Sequence, residues 1–126
     1  MKKIIFIIAL FIEFSLSAQV TISVEELPEG TPKNASIFIS GDFEGWSGGK
    51  KEYQLEHKNG HYTITLPQKL KQIQYKFTQG SWKSVECNMK GQSIENRSYT
   101  FNQSNDTLKV KIVGWDNLFD KKISST

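Results

Sequence analysis

Val20, Ile22 and Val24 alternate with Thr21, Ser23 and Glu25; Tyr62, Ile64 and Leu66 with His61, Thr63 and Thr65; and Leu108, Val110 and Ile112 with Thr107, Lys109 and Lys111. A period of two puts every second side chain on one face, which is the pattern of a half-buried strand. Ala35 to Ser40 forms a denser apolar strand, and further strands are predicted over Ile73 to Gln79, Trp82 to Cys87 and Arg97 to Phe101. Tyr53 to His57 is predicted to pair with His61 to Leu66 across Lys58-Asn59-Gly60, where Asn-Gly supplies the positive φ of a tight hairpin. Leu27-Pro28-Glu29-Gly30-Thr31-Pro32 is a turn, because proline interrupts a sheet and glycine turns the chain. Beyond the first residues no segment keeps helical periodicity over ten or more positions. The expectation is an all-β, immunoglobulin-like antiparallel β-sandwich of seven to eight strands.

The first residues break this pattern. Lys2 and Lys3 precede an apolar run from Ile4 to Ile12, Glu13 interrupts it, and Ser15-Leu16-Ser17 leads to a cleavage point near Ala18-Gln19. A basic start, a short apolar core and small residues make a secretory signal peptide, and the run is too short to span a bilayer. The organisation expected is a signal peptide over 1–18, a sandwich over 19–119 and a flexible polar tail over 120–126, with a secreted or periplasmic product and no membrane association after cleavage.

Removing the leader leaves 108 of 126 residues, enough for one domain with a small core, and takes the net charge from +3 to +2. The lysines are scattered among acids, so no concentrated basic face is available for nucleic acid. Cys87 is the single cysteine, which excludes an internal disulfide and leaves stability to the core. It reads as a small, half-buried apolar residue.

The chemistry turns on the stretch GDFEGWSGGK, Gly41 to Lys50, which holds four of the nine glycines. It is not a phosphate loop: Glu44 stands where the first glycine is needed, Lys51 follows Lys50, and no helix is predicted after it. Asp42 and Glu44 resemble an acid pair, but a small sandwich has little room to enclose a substrate, and the plainer reading is solvated acids at a turn. His57 and His61 flank a hairpin without metal-ligand spacing, so neither a metal nor a cofactor is expected.

The aromatics remain. Trp46 lies in the glycine-rich loop, and Trp82 follows Gly80-Ser81 just past the strand ending IQYKFTQ; neither has a core pattern around it. Trp115, at the end of a strand, reads as structural. With Ile73, Tyr75 and Phe77 directed inward, Gln72, Gln74 and Lys76 are displayed on the opposite face. An ammonium and a carboxamide beside flat rings suit a polyhydroxylated ligand, since a ring stacks on a sugar while polar groups read its hydroxyls.

The order GDFEGWS, YKF, GSW and ENR resembles the starch-binding and glycogen-binding carbohydrate-binding modules, families 20 and 48, over Ala35 to Val113. The resemblance implies an immunoglobulin-like sandwich without catalytic activity. It also implies Trp46 and Trp82 as stacking platforms, with Lys76 and Asn96 as groups that hydrogen-bond sugar hydroxyls. The pattern departs at Val85-Glu86-Cys87, where the starch-binding type carries its second tryptophan directly after the Val-Glu pair. The expected ligand is a polysaccharide or oligosaccharide, an α-glucan first, with a hydrolase as a possible partner. The alternative is a structural or protein-interaction domain of the same fold that has lost sugar binding.

Overall fold

The computed structural model describes residues 19–119; the expected signal peptide and tail lie outside the described residues. Seven strands form in the order β1 (Gln19–Glu26), β2 (Phe38–Gly41), β3 (Glu56–Lys58), β4 (His61–Pro67), β5 (Gln72–Thr78), β6 (Arg97–Thr100) and β7 (Asp106–Lys111). They make two sheets, a four-stranded one ordered β3-β4-β1-β7 and a three-stranded one ordered β2-β5-β6. The expected all-β sandwich is therefore the observed architecture. Among the described residues no helix is long and apolar enough to cross a membrane.

Most pairings are antiparallel, but β1 and β7 run parallel, Val20 opposite Asp106 through Val24 opposite Val110. Parallel neighbours cannot be joined by a tight turn. Here the chain between the two strands, including the whole second sheet, forms the crossover. Lys58 pairs with His61, and Asn59 and Gly60 both have positive φ, 50° and 81°, as a two-residue type I′ turn requires.

Two expected strands come out differently. Tyr53 to His57 is strand only from Glu56: Lys51–Tyr53 is a 3-10 turn, Gln54 bridges Phe38, and Leu55 donates to the Ile37 carbonyl. That segment crosses from the edge of one sheet to the edge of the other, so it cannot stay in either ladder. Trp82 to Cys87 becomes a 3-10 turn, Trp82–Ser84, followed by a bridge from Glu86 to Trp115. Serines redirect it: the Ser81 hydroxyl accepts from Lys83 N at 3.3 Å and the Ser84 hydroxyl from Gln79 N at 3.0 Å. Such local side-chain bonds compete with a strand ladder for the backbone.

The core lies between the sheets, with Val20, Ile22, Val24, Tyr62 and Leu66 facing Ile37, Ile39, Ile73, Tyr75 and Phe77. Trp115 is fully buried, and its indole N–H donates to Thr31 Oγ1 at 2.9 Å. It is structural, as expected, and it ties the first turn to the end of the described chain.

One ion pair enters this core. Glu86, only 2% exposed, accepts from Arg97 Nε and a terminal guanidinium nitrogen at 2.8 to 3.2 Å. The same carboxylate accepts from Phe77 N at 3.0 Å, and Glu86 N donates to the Phe77 carbonyl at 2.9 Å. Arg97 also donates to the Lys111 carbonyl at 2.8 Å and lies 5.3 Å over the Phe77 ring. Its removal would leave a buried carboxylate without its counter-charge, which is strongly destabilising. Arg97→Ala is expected to lower the urea-unfolding free energy by about 3 kcal/mol, read as a fall in the transition midpoint.

Candidate functional site

The site is built where β2 leaves its sheet. Gly41 ends the strand, and residues 42–48 fold back over the outer face of β2 and β5. On that face Ser40 pairs across from Lys76, and Phe38 from Thr78. Ser40 and Thr78 are nevertheless fully buried, because the loop covers them. Gly48 N donates to Ser40 Oγ at 2.8 Å, and Thr78 Oγ1 donates to the Gly48 carbonyl at 2.5 Å.

Glu44 holds the turn itself. Its Oε2 accepts from Ser40 Oγ at 2.6 Å, Gly41 N at 3.0 Å and Ser47 N at 3.0 Å, while Oε1 accepts from the Ser47 hydroxyl. Partial burial alone would raise its pKa, but the hydrogen bonds from Ser40, Ser47 and the two backbone amides together hold it below the usual carboxylate range. Asp42 is structural as well, since its Oδ1 accepts from Gln74 N at 3.1 Å while its own N–H donates to the Gln74 carbonyl. The two acids expected to be merely solvated instead fasten the turn to the sheet.

The turn carries Trp46 in the left-handed region, φ 54°, with its N–H donating to the Gly41 carbonyl at 2.9 Å. A residue with a Cβ bears a cost of about 1 kcal/mol there. Trp82 comes from the other side, out of the turn after β5, and its indole N–H donates to the Trp46 carbonyl at 3.0 Å. The two ring centroids stand 6.1 Å apart with planes at 41°. Trp46 is half-buried and Trp82 is 38% exposed.

Glycine is required beneath this pair. A Cβ on Gly48, φ 87°, would sit 2.8 Å from Trp82 Nε1, and one on Gly49 would sit 2.2 Å from the Gly80 carbonyl oxygen. The missing side chains let the Trp82 ring and the two loops close on one another.

Strand alternation holds as expected along β5: Ile73, Tyr75 and Phe77 are buried, Gln72 and Gln74 exposed, and Lys76 half-buried. Asn96 precedes Arg97, which pairs with Tyr75, so Asn96 stands abreast of Lys76. Its side-chain amide donates to Gln74 Oε1 at 3.1 Å. Trp46, Trp82, Lys76 and Asn96 thus belong to one side of the three-stranded sheet, where Gln74 accepts the bond from Asn96. Gln74 was legible from alternation but not as the partner of Asn96. The anchoring role of Glu44 depends on a carboxylate folding back onto Ser40, which spacing alone does not reveal.

Other candidates lie elsewhere. Cys87 is buried, donates its N–H to the Gly114 carbonyl, and would lie 3.1 Å from a Cβ on Gly114, so its position offers no ring-stacking surface. His57 stacks on Tyr62 at 4.0 Å. An open groove of about 510 Å³ at the β3–β4 edge is lined by Lys51, Glu52, Gln54, Leu55 and Thr63 among others, without an aromatic ring.

No family model matches the chain. A stretch of 91 residues, 71% of the chain, is 33% identical to an α-amylase of Niallia circulans, of which it covers 7%. The chain is therefore similar to a small segment of a much longer amylase.

Two expectations follow from the loop. The depressed pKa of Glu44 means that its stabilisation is fully present above its unfolded value, about 4.3, and is lost as pH falls through the lower folded value. Tryptophan fluorescence is expected to stay flat down to about pH 4.3 and change below it, with that acid step absent in Glu44→Gln. Gly48→Ala is expected to push the Trp82 ring outward, raising tryptophan accessibility to acrylamide quenching while the sandwich still unfolds cooperatively.

Proposed function

We propose that this protein is a secreted, non-catalytic carbohydrate-binding module that takes α-glucan by aromatic stacking. One observation carries the reading: two indoles, 6.1 Å apart and tilted by 41°, stand on the side of the sheet that presents Lys76, Gln74 and Asn96. Indole faces suit the apolar C–H faces of pyranose rings, and the flanking ammonium and amides supply donors and an acceptor for hydroxyls. Trp46 and Trp82 are the stacking platforms, and Lys76 and Asn96 the hydroxyl-reading groups. With the Asn96 amide donating to Gln74, Asn96 keeps its carbonyl and Gln74 its amide nitrogen for a ligand.

Two further facts support the reading. Asp42 and Glu44 are committed to the turn by hydrogen bonds, which suits a scaffold better than a general acid and base. The similar segment belongs to a protein named as an α-amylase, which favours starch or glycogen over other polysaccharides and a hydrolase as functional partner. The leader over 1–18 would carry the module out of the cytoplasm.

Native electrophoresis through gels containing glycogen or soluble starch is the direct test. The wild-type protein is expected to be retarded relative to a non-binding standard, and Trp46→Ala or Trp82→Ala to lose about tenfold or more in affinity. Lys76→Ala should weaken binding with the fold intact. Unchanged mobility of the wild type in every glucan would leave the structural or protein-interaction reading in its place.

A further inference from the structure

We propose that Glu44 is a positioning residue for ligand binding: its carboxylate presets the tilt and spacing of the Trp46–Trp82 pair without touching the ligand. This rests on the carbohydrate-binding reading above and adds to it the group that makes the platform rigid.

Connectivity singles Glu44 out. It accepts from Gly41 and from Ser47, the residues that bracket Trp46, and from Ser40 on the strand beneath. Ser40 Oγ in turn accepts from Gly48 N, and Gly48 is the surface on which the Trp82 ring lies. The Trp46 carbonyl receives the Trp82 indole N–H. Both rings are thus linked to the one carboxylate within two or three bonded steps, one through the turn and one through Ser40 and Gly48.

Without the carboxylate, four donors lose their acceptor at once. The left-handed backbone of Trp46 then has less to hold it, the turn relaxes, and the Trp82 N–H loses its fixed partner. A ligand would have to order the loop as it binds, and that ordering subtracts from affinity. The sheet beneath has its own ladder, since Ser40 and Gly41 remain paired with Lys76 and Tyr75. The effect therefore falls on the rings more than on the fold.

Two tryptophans this close couple their excited states, so the pair should give an exciton couplet in the far-ultraviolet circular dichroism spectrum. This reports ring geometry whether or not a sugar binds. Glu44→Ala is expected to collapse the couplet and lower glycogen affinity by about tenfold or more, with cooperative urea unfolding retained. Glu44→Gln can place its amide oxygen where Oε2 stands and keep three of the four bonds, so at neutral pH it should restore most of the couplet and the affinity. An Ala variant that retains both couplet and affinity overturns the proposal. If Glu44→Ala does not fold, Ser40→Ala decides: it removes the hydroxyl that links Glu44 Oε2 to Gly48 N and should weaken couplet and affinity together, and no change in either overturns the proposal. A wild type that ignores glucan counts against the binding reading, and the couplet comparison then judges Glu44 by itself.

Discussion

The ion pair between Glu86 and Arg97 is the tie on which the arrangement depends. Glu86 lies beside Phe77 just beyond the point where β6 begins, so it continues the edge of the three-stranded sheet with a single residue. Arg97 starts β6 and reaches across to the Lys111 carbonyl at the end of β7, which belongs to the other sheet. One carboxylate and one guanidinium thus connect β5, β6 and β7 from both sides of the sandwich. Neither charge would be tolerated there without the other. In a chain with one cysteine, this does part of the fastening that a disulfide does elsewhere.

That frame explains why the aromatic pair stands where it does. The three-stranded sheet is narrow, and β5 at its centre is covered on the inner face by the core and on the outer face by whatever the adjoining loops provide. At the Thr78 end the loop after β2 covers it; at the Gln74 end the polar side chains stay open. The boundary between covered and open falls at Lys76. Rings therefore gather at one end of the face and amides at the other, an order that follows from where β2 stops.

Much of the fold was legible because period-two patterning is enforced by burial on one face. β1, β4, β5 and β7 were all readable in this way, and the Asn59-Gly60 turn was readable from its residue types. The failures share a cause. Tyr53 to Gln54 and Trp82 to Val85 carry strand-like residues, yet one segment must change sheets and the other is captured by its own serines. Neither constraint is visible as periodicity. The parallel pairing of β1 with β7 was hidden too, since alternation defines faces and not neighbours. At the site, residue types and strand alternation singled out Trp46, Trp82 and Lys76, the family resemblance added Asn96, and all four lie on one side of the three-stranded sheet. What escaped was the acid: Glu44 has no apolar pattern, and its importance lies in bonds to Ser40, Gly41 and Ser47 that exist only after the turn has closed.

The angle between the indoles has a consequence of its own. Two plates inclined at 41° are far from coplanar, and no flat object can lie flush against both. A ribbon-like chain would rest on one plate and lift from the other. Full contact requires a guest that bends by a comparable amount over the 6.1 Å between ring centres. On the proposed carbohydrate-binding reading, the pair would therefore favour a chain by its bend as well as by its chemical units.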